Sequence, residues 1–217
     1  MKKIICITLA IMMLAFAFVG CNDEPAETHK APAAEDIDLS TVADPSEFTV
    51  SETETDYVII EVENFGTIII RLLPDVAPET VANFKKLVSE KFYDGIIFHR
   101  VIENFMIQGG DPDGDGTGGS KNTIKGEFAS NGFENNLSHT RGVVSMARLG
   151  NDPNSASSQF FIVHKDSTYL DGEYAAFGYV VYGMDVVDEI ASVRTNSSDR
   201  PVSKVTMTSI RFAKIGK

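Results

Sequence analysis

Apolar side chains recur along this chain in two rhythms. From residue 57 onward, short runs rich in β-branched and aromatic residues follow one another at 57–62, 67–72, 96–101, 142–147, 159–163, 177–182 and 205–212. Such runs favour strands, because branched and aromatic side chains pack well on a pleated surface. Two segments switch to helical spacing. In the first, Pro78 suits the first helical position and Val81, Phe84, Leu87 and Val88 share a face; in the second, Val186, Val187, Ile190 and Val193 do so. Many short strands, sixteen glycines from Gly66 on and only two helices predict a mainly β domain, a closed or nearly closed antiparallel barrel. The alternating strand and helix units of a parallel sheet are absent.

Two segments of another kind precede this pattern. Lys2 and Lys3 stand before residues 4–19, of which only Thr8 is polar, and the run ends Phe18-Val19-Gly20-Cys21. That reads as an export signal over residues 1–20, short of the ~20 apolar residues of a spanning helix. The ending resembles the bacterial lipoprotein signal, in which a small residue precedes a cysteine that is lipidated and becomes the mature N-terminus, although Phe18 stands where Leu is usual. Cys21 is the candidate lipid-attachment residue. The rival readings are an uncleaved signal anchor and a secreted protein with a free Cys21, and all three place the remainder outside the cytoplasm. Residues 22–56 carry eleven acidic side chains against Lys30, three prolines and few large apolar residues. Such a stretch buries too little to offset its ordering entropy, which predicts a self-repelling acidic linker over 21–56, docked at most near Phe48. The expected folded domain is 57–217.

Charge sharpens this division. Of the net −12 over 217 residues, the linker accounts for −10, so the domain is nearly balanced. No cluster of Lys and Arg is present to hold phosphates, and no nucleic-acid partner is expected. Cys6 and Cys21 are the sole cysteines, which excludes a disulfide framework or zinc spacing in the domain. Without coiled-coil heptads or an interface stripe, the expected state is a monomer.

Several patterns invite chemistry and fail their own conditions. Asp111, Asp113, Asp115 and Gly116 open like a calcium loop, but its twelfth position is Asn122 instead of Glu and a strand, not a helix, precedes it. The same stretch fits G-x-G-x-x-G with no following helix to seat a pyrophosphate. His99, His139 and His164 lack metal-pair spacing, and nothing in the sequence selects a hydrolytic triad.

The informative constellation is Phe98-His99-Arg100-Val101-Ile102, Phe105-Met106-Ile107-Gln108-Gly109-Gly110-Asp111, Ser145-Met146-Ala147-Arg148 and Ser158-Gln159-Phe160-Phe161-Ile162. Here the chain resembles the cyclophilin-type peptidyl-prolyl cis-trans isomerases, from about residue 57 to 214, through Gly116-Thr117-Gly118-Gly119 and Tyr169-Leu170-Asp171-Gly172. The resemblance implies a closed eight-stranded antiparallel β-barrel capped by two α-helices, with the site on the barrel's outer face. It also implies proline-containing peptides and folding proteins as partners. By correspondence Arg100, Phe105 and Gln108 are the catalytic residues. Phe105, Met106, Phe161 and Leu170 form a proline pocket, Gln108 orients a substrate carbonyl, the backbone at Ala147 and Arg148 binds the peptide, and Gln159 and Gly116 shape the rim. Phe98, Ile107 and Phe160 read as core.

The chemistry explains these residue types. An X-Pro amide rotates slowly because resonance sets a barrier of ~18–20 kcal/mol. No bond breaks, so no nucleophile, metal or cofactor is needed; what helps is a site that fits the twisted amide better than either planar form. Three positions depart from the best-known eukaryotic pattern. Arg148 stands where Asn is usual, as in many bacterial members. Tyr169 replaces the Trp that contacts cyclosporin, so tight cyclosporin binding is not expected, and Tyr174 replaces a His at the pocket edge.

Overall fold

The computed structural model describes residues 44–216. The leader, Cys21 and most of the acidic segment lie outside the described residues. A short 3₁₀ turn, Pro45–Glu47, capped by the Asp44 carboxylate, leads into β1 (Phe48–Val50). Then come β2 (Tyr57–Val62), β3 (Gly66–Leu72), α1 (Pro78–Ser89), β4 (Arg100–Ile102), β5 (Met106–Gly109), β6 (Val143–Met146), β7 (Phe160–Val163), β8 (Ala176–Tyr182), α2 (Met184–Ala191) and β9 (Met207–Ile215). Among the described residues no helix is long and apolar enough to cross a membrane.

All strands pair antiparallel in one sheet of order β1-β9-β2-β3-β8-β6-β7-β5-β4. The expected closed eight-stranded barrel is thus a nine-stranded sheet whose end strands, β1 and β4, do not pair. The added strand comes from the acidic segment: β1 lies on β9 with Phe48 opposite Ile215 and Val50 opposite Ala213. The Phe48 ring is buried against Tyr57, Ile59 and Tyr179, enough apolar contact to seat an otherwise polar stretch. β9 gives one edge to β2 and divides the other between β1 and residues 95–98. Ile97 bridges Thr206, the Phe98 N–H bonds the Val205 carbonyl, and Met207 exchanges bonds with Gly95 and Ile96. The sheet curls until its edges meet at this segment, without a ladder running their full length.

Period-two alternation divides β4 to β7 between two faces. Val101, Ile107, Val144, Met146, Phe160 and Ile162 point into the main core, which both helices also enter. From α1, Phe84 reaches the rings of Tyr93, Phe160 and Phe177 at 5.2 to 5.5 Å. Phe98, Ile107 and Phe160 are fully buried there, as their sequence context predicts. The intervening residues, Met106, Val143, Phe161 and Val163, point the other way into a smaller cluster with Leu137 and Leu170. That second face carries the site. The N-terminus of α1 has no capping side chain at Ala77; the buried Glu127 carboxylate accepts its Glu79 and Thr80 N–H groups instead, tying the loop after the glycine-rich segment to the helix.

Candidate active site

β4, β5, β7 and β6 lie side by side in that order of pairing, with register partners Arg100 and Gln108, then Gln108 and Phe161, then Phe161 and Ser145. Residues directly opposite share a face, so three strands bring the candidate side chains together across neighbouring rungs. They line a cavity of about 180 Å³ formed by Arg100, Phe105, Met106, Gln108, Ala147, Arg148, Phe161, Leu170 and Tyr174, each of them expected from the sequence. A wider cavity of about 430 Å³ adjoins it, sharing Gln108, Ala147 and Arg148, and holds Gly116 and Gln159. Tyr169 lies outside both, 70% exposed, with its ring 6.0 Å from Phe105.

The polar side of the smaller cavity is a directed chain of donors. Arg100 Nη1 reaches Gln108 Oε1 at 3.5 Å, the long end of the hydrogen-bond range. Gln108 Nε2 donates to Gln159 Oε1 at 2.9 Å, and Gln159 Nε2 donates to the carbonyls of Gly116 and Gly118 at 3.1 and 2.8 Å. The far side of the guanidinium meets Asp199, with Nε 3.6 Å from Oδ2. Arg100 remains 43% exposed, with donors to spare. The glycine-rich loop that ends this chain is held from inside. Asp111 is buried, and its carboxylate accepts the N–H groups of Asp113, Asp115 and Gly116 at 2.6 to 3.0 Å. Burial works to raise that carboxyl, but the N–H bonds outweigh it and hold it below the ordinary value. The calcium-like acid at loop position 1 is therefore spent on its own turn. Gly118 packs against it so closely that a Cβ there would clash with the Asp111 carboxylate.

Arg148 behaves differently from its expected role as a backbone contact alone. Its guanidinium lies between the rings of Phe128 and Tyr174, 5.1 and 4.8 Å from their centroids. Nε donates to the Glu173 carbonyl, Nη1 to the carbonyls of Leu149 and Gly150, and Nη2 to the Glu173 carboxylate. The side chain is a strut that fixes Tyr174 and the cavity rim, and sequence spacing gives no sign of it. The Ala147 N–H is also taken, by the Gln159 carbonyl.

Behind the apolar wall sits an arrangement that no motif marks. Ser145 Oγ lies 3.0 Å from His139 Nε2, and His139 Nδ1 lies 2.8 Å from Asp171 Oδ1. The connectivity is that of a hydrolytic triad, yet Ser145 and His139 are buried beneath Phe161, whose ring stacks on the imidazole at 6.1 Å and 18°. No substrate carbonyl could reach that hydroxyl. Burial holds the His139 imidazole below its ordinary value, with the Asp171 carboxylate pulling the other way. His99 is likewise buried, its Nδ1 has no hydrogen-bond partner, and burial lowers it too. Among the described residues no group of three or more His, Cys, Asp or Glu side chains is placed to hold a metal ion.

Comparison with known proteins bears on this geometry. The family model described as cyclophilin type peptidyl-prolyl cis-trans isomerase/CLD matches residues 57–212. Peptidyl-prolyl cis-trans isomerase ppi1 of Schizosaccharomyces pombe is 46% identical over 140 residues, 64% of this chain and 88% of that protein. The peptidyl-prolyl cis-trans isomerase-like 1 protein of Gibberella zeae is 42% identical over 158 residues, 72% of this chain and 94% of that one. Among solved structures, a Cryptosporidium parvum cyclophilin type isomerase, 31% identical, superposes with a TM-score of 0.67 over 72% of this chain and 96% of that one. The same protein in the presence of the dipeptide Ala-Pro gives 0.66. These relatives are eukaryotic and the match starts at residue 57, so it lends no support to a bacterial origin or to the leader. The chain belongs to the cyclophilin-type peptidyl-prolyl cis-trans isomerase family.

Proposed function

We propose that this chain catalyses rotation about X-Pro peptide bonds in extracytoplasmic proteins, acting from a lipid anchor at Cys21 as a monomer on folding or refolding chains. The observation that carries the catalytic part is the meeting, in one small cavity, of the Arg100 guanidinium with Phe105, Met106, Phe161 and Leu170. A proline ring seated on that apolar wall leaves its nitrogen facing Arg100. When the amide twists, resonance is lost and the nitrogen lone pair becomes an acceptor that exists in neither planar isomer. Arg100 donates to it through its guanidinium. A hydrogen bond to a charged group contributes about 1.5–3 kcal/mol, roughly ten- to a hundredfold in rate. The rest falls to desolvation, because an apolar surround favours the less dipolar twisted amide. Gln108, held at both ends of its amide, keeps one Nε2 hydrogen for the substrate carbonyl. The Ala147 carbonyl and Arg148 N–H are left to meet the peptide backbone ahead of proline. Tyr169, on the exposed rim, argues for weak cyclosporin binding.

The test is a protease-coupled isomerisation assay on a short X-Pro peptide with the full chain. Acceleration of the cis-to-trans phase is expected; peptide binding with an unchanged rate would make the protein a proline-peptide-binding chaperone. Mass spectrometry of the native N-terminus decides the anchor: an acylated Cys21 supports it, while a free Cys21 or a retained Met1 removes it.

A further inference from the structure

The buried Ser145 and His139, and the exposed Asp171 that His139 bonds, take no part in the twist as described, yet they adjoin the proline pocket. Ser145 is the register partner of Phe161 on the adjacent strand, so both side chains project on the same face. The imidazole lies flat beneath the Phe161 ring, and Tyr174 meets the same ring edge-on at 5.9 Å and 83°. Asp171 follows Leu170, the pocket's other wall, directly in sequence. Both of its oxygens accept hydrogen bonds: Oδ1 accepts from the His139 backbone N–H at 2.7 Å and faces Nδ1, while Oδ2 accepts from Ser138 Oγ at 2.6 Å. A carboxylate can only accept, so the imidazole proton is on Nδ1 and Nε2 accepts from the Ser145 hydroxyl.

We infer that His139 is a positioning residue for the proline pocket, its neutral imidazole setting the plane of Phe161 through the Ser145 and Asp171 bonds. Protonation at Nε2 would turn that acceptor into a donor and leave the Ser145 proton, fully buried, without a partner. The ring that supports Phe161 would then have to shift. Burial, which already depresses the imidazole, works in the same direction. The groups facing His139 are few: Asp171 is the charged neighbour in contact, and the Arg148–Glu173 pair stands beyond Tyr174. His99 is a second depressed imidazole, beside Arg100 rather than Phe161, and serves as the control.

Because the inference rests on the isomerase reading, its readout is binding rather than turnover. Coupling is reciprocal: if the pocket needs neutral His139, a bound proline peptide must lower the His139 pKa, and acid must weaken the peptide. The experiment follows His139 ring signals by NMR from pH 8 downward, with and without a saturating end-blocked Ala-Pro tetrapeptide, which does not titrate. A downward shift on binding is expected, each unit matching a tenfold loss of affinity in acid. His139→Gln should bind about tenfold more weakly at neutral pH and lose the acid fall-off, a pH dependence that His99→Gln should keep. Ser145→Ala, which removes the donor that favours the neutral ring, should move the fall-off to higher pH. Peptide binding with no His139 shift, or an acid fall-off that survives in His139→Gln, overturns the positioning role and leaves the isomerase reading intact. A folded chain that binds no peptide at neutral pH refutes both.

Discussion

The two faces of β5, β6 and β7 are built from alternating residues of the same short strands, and they obey different rules. The inner face, with Ile107, Val144, Met146, Phe160 and Ile162, is entirely apolar and joins the main core. On the outer face Met106, Phe161 and Val163 share the surface with Gln108 and Ser145, polar groups that must each find a partner. The inner face needs volume and shape, because dispersion and burial have no direction. The outer face needs direction as well, and obtains it from amides and an imidazole anchored in loops far away in sequence. One strand can therefore serve stability on one side and chemistry on the other, provided the two demands are met by adjacent residues.

Exchanging one aromatic neighbour for the other gives the largest expected contrast. Phe160→Ala should lower unfolding free energy by about 3–5 kcal/mol in urea denaturation, since the ring packs between Phe84, Tyr93 and Phe98. Phe161→Ala should lose less stability and more peptide affinity, and equal stability losses would end the distinction between the faces. Next is Arg100→Ala, expected to lower kcat/KM by at least tenfold while the melting transition stays put, because the side chain is part-exposed and bears no core contact. Normal turnover would remove Arg100 from the mechanism.

Much of this division was legible in the sequence. Alternation placed the strands, because period-two patterning is local, and the resemblance carried by the Phe-Phe, Met-Ile-Gln-Gly and Ser-Met-Ala runs named the cavity lining. What stayed hidden depends on loops folding back. Asp171 meets His139 across 32 positions, Asp199 meets Arg100 across the turn ahead of β9, and Phe128 stacks on Arg148 from beyond the glycine-rich segment. No spacing rule links such pairs. β1 was half legible: acidic composition argued for a spacer and allowed docking only near Phe48, where one well-placed phenylalanine seats a strand on β9.

The remaining expectations refine the outer face. Gln159→Ala cuts the link between Gln108 and the glycine-rich loop. A neutral hydrogen bond contributes about 1 kcal/mol, so kcat/KM should fall roughly fivefold with unchanged stability. A loss as large as that of Arg100→Ala would mean that Gln159 touches substrate. Asp199→Asn should do least, about threefold or below in kcat/KM and nothing at high salt, because its pair with Arg100 is long and open to water. A salt-independent loss would show that Asp199 aims the guanidinium.

The donor chain from Arg100 to the glycine carbonyls has one polarity: each amide oxygen faces backward to a donor, and each amide nitrogen faces forward. Along this chain the oxygens of Gln108, Gln159, Gly116 and Gly118 are taken by its own members, and what Arg100 and Gln108 leave over is N–H. Any ordinary residue seated there would bring a backbone N–H against other hydrogens and strand it out of water. Proline alone among the twenty lacks that hydrogen. Against such a run of donors proline would fit by what it lacks as well as by its shape, a match written in hydrogen-bond sign as much as in size.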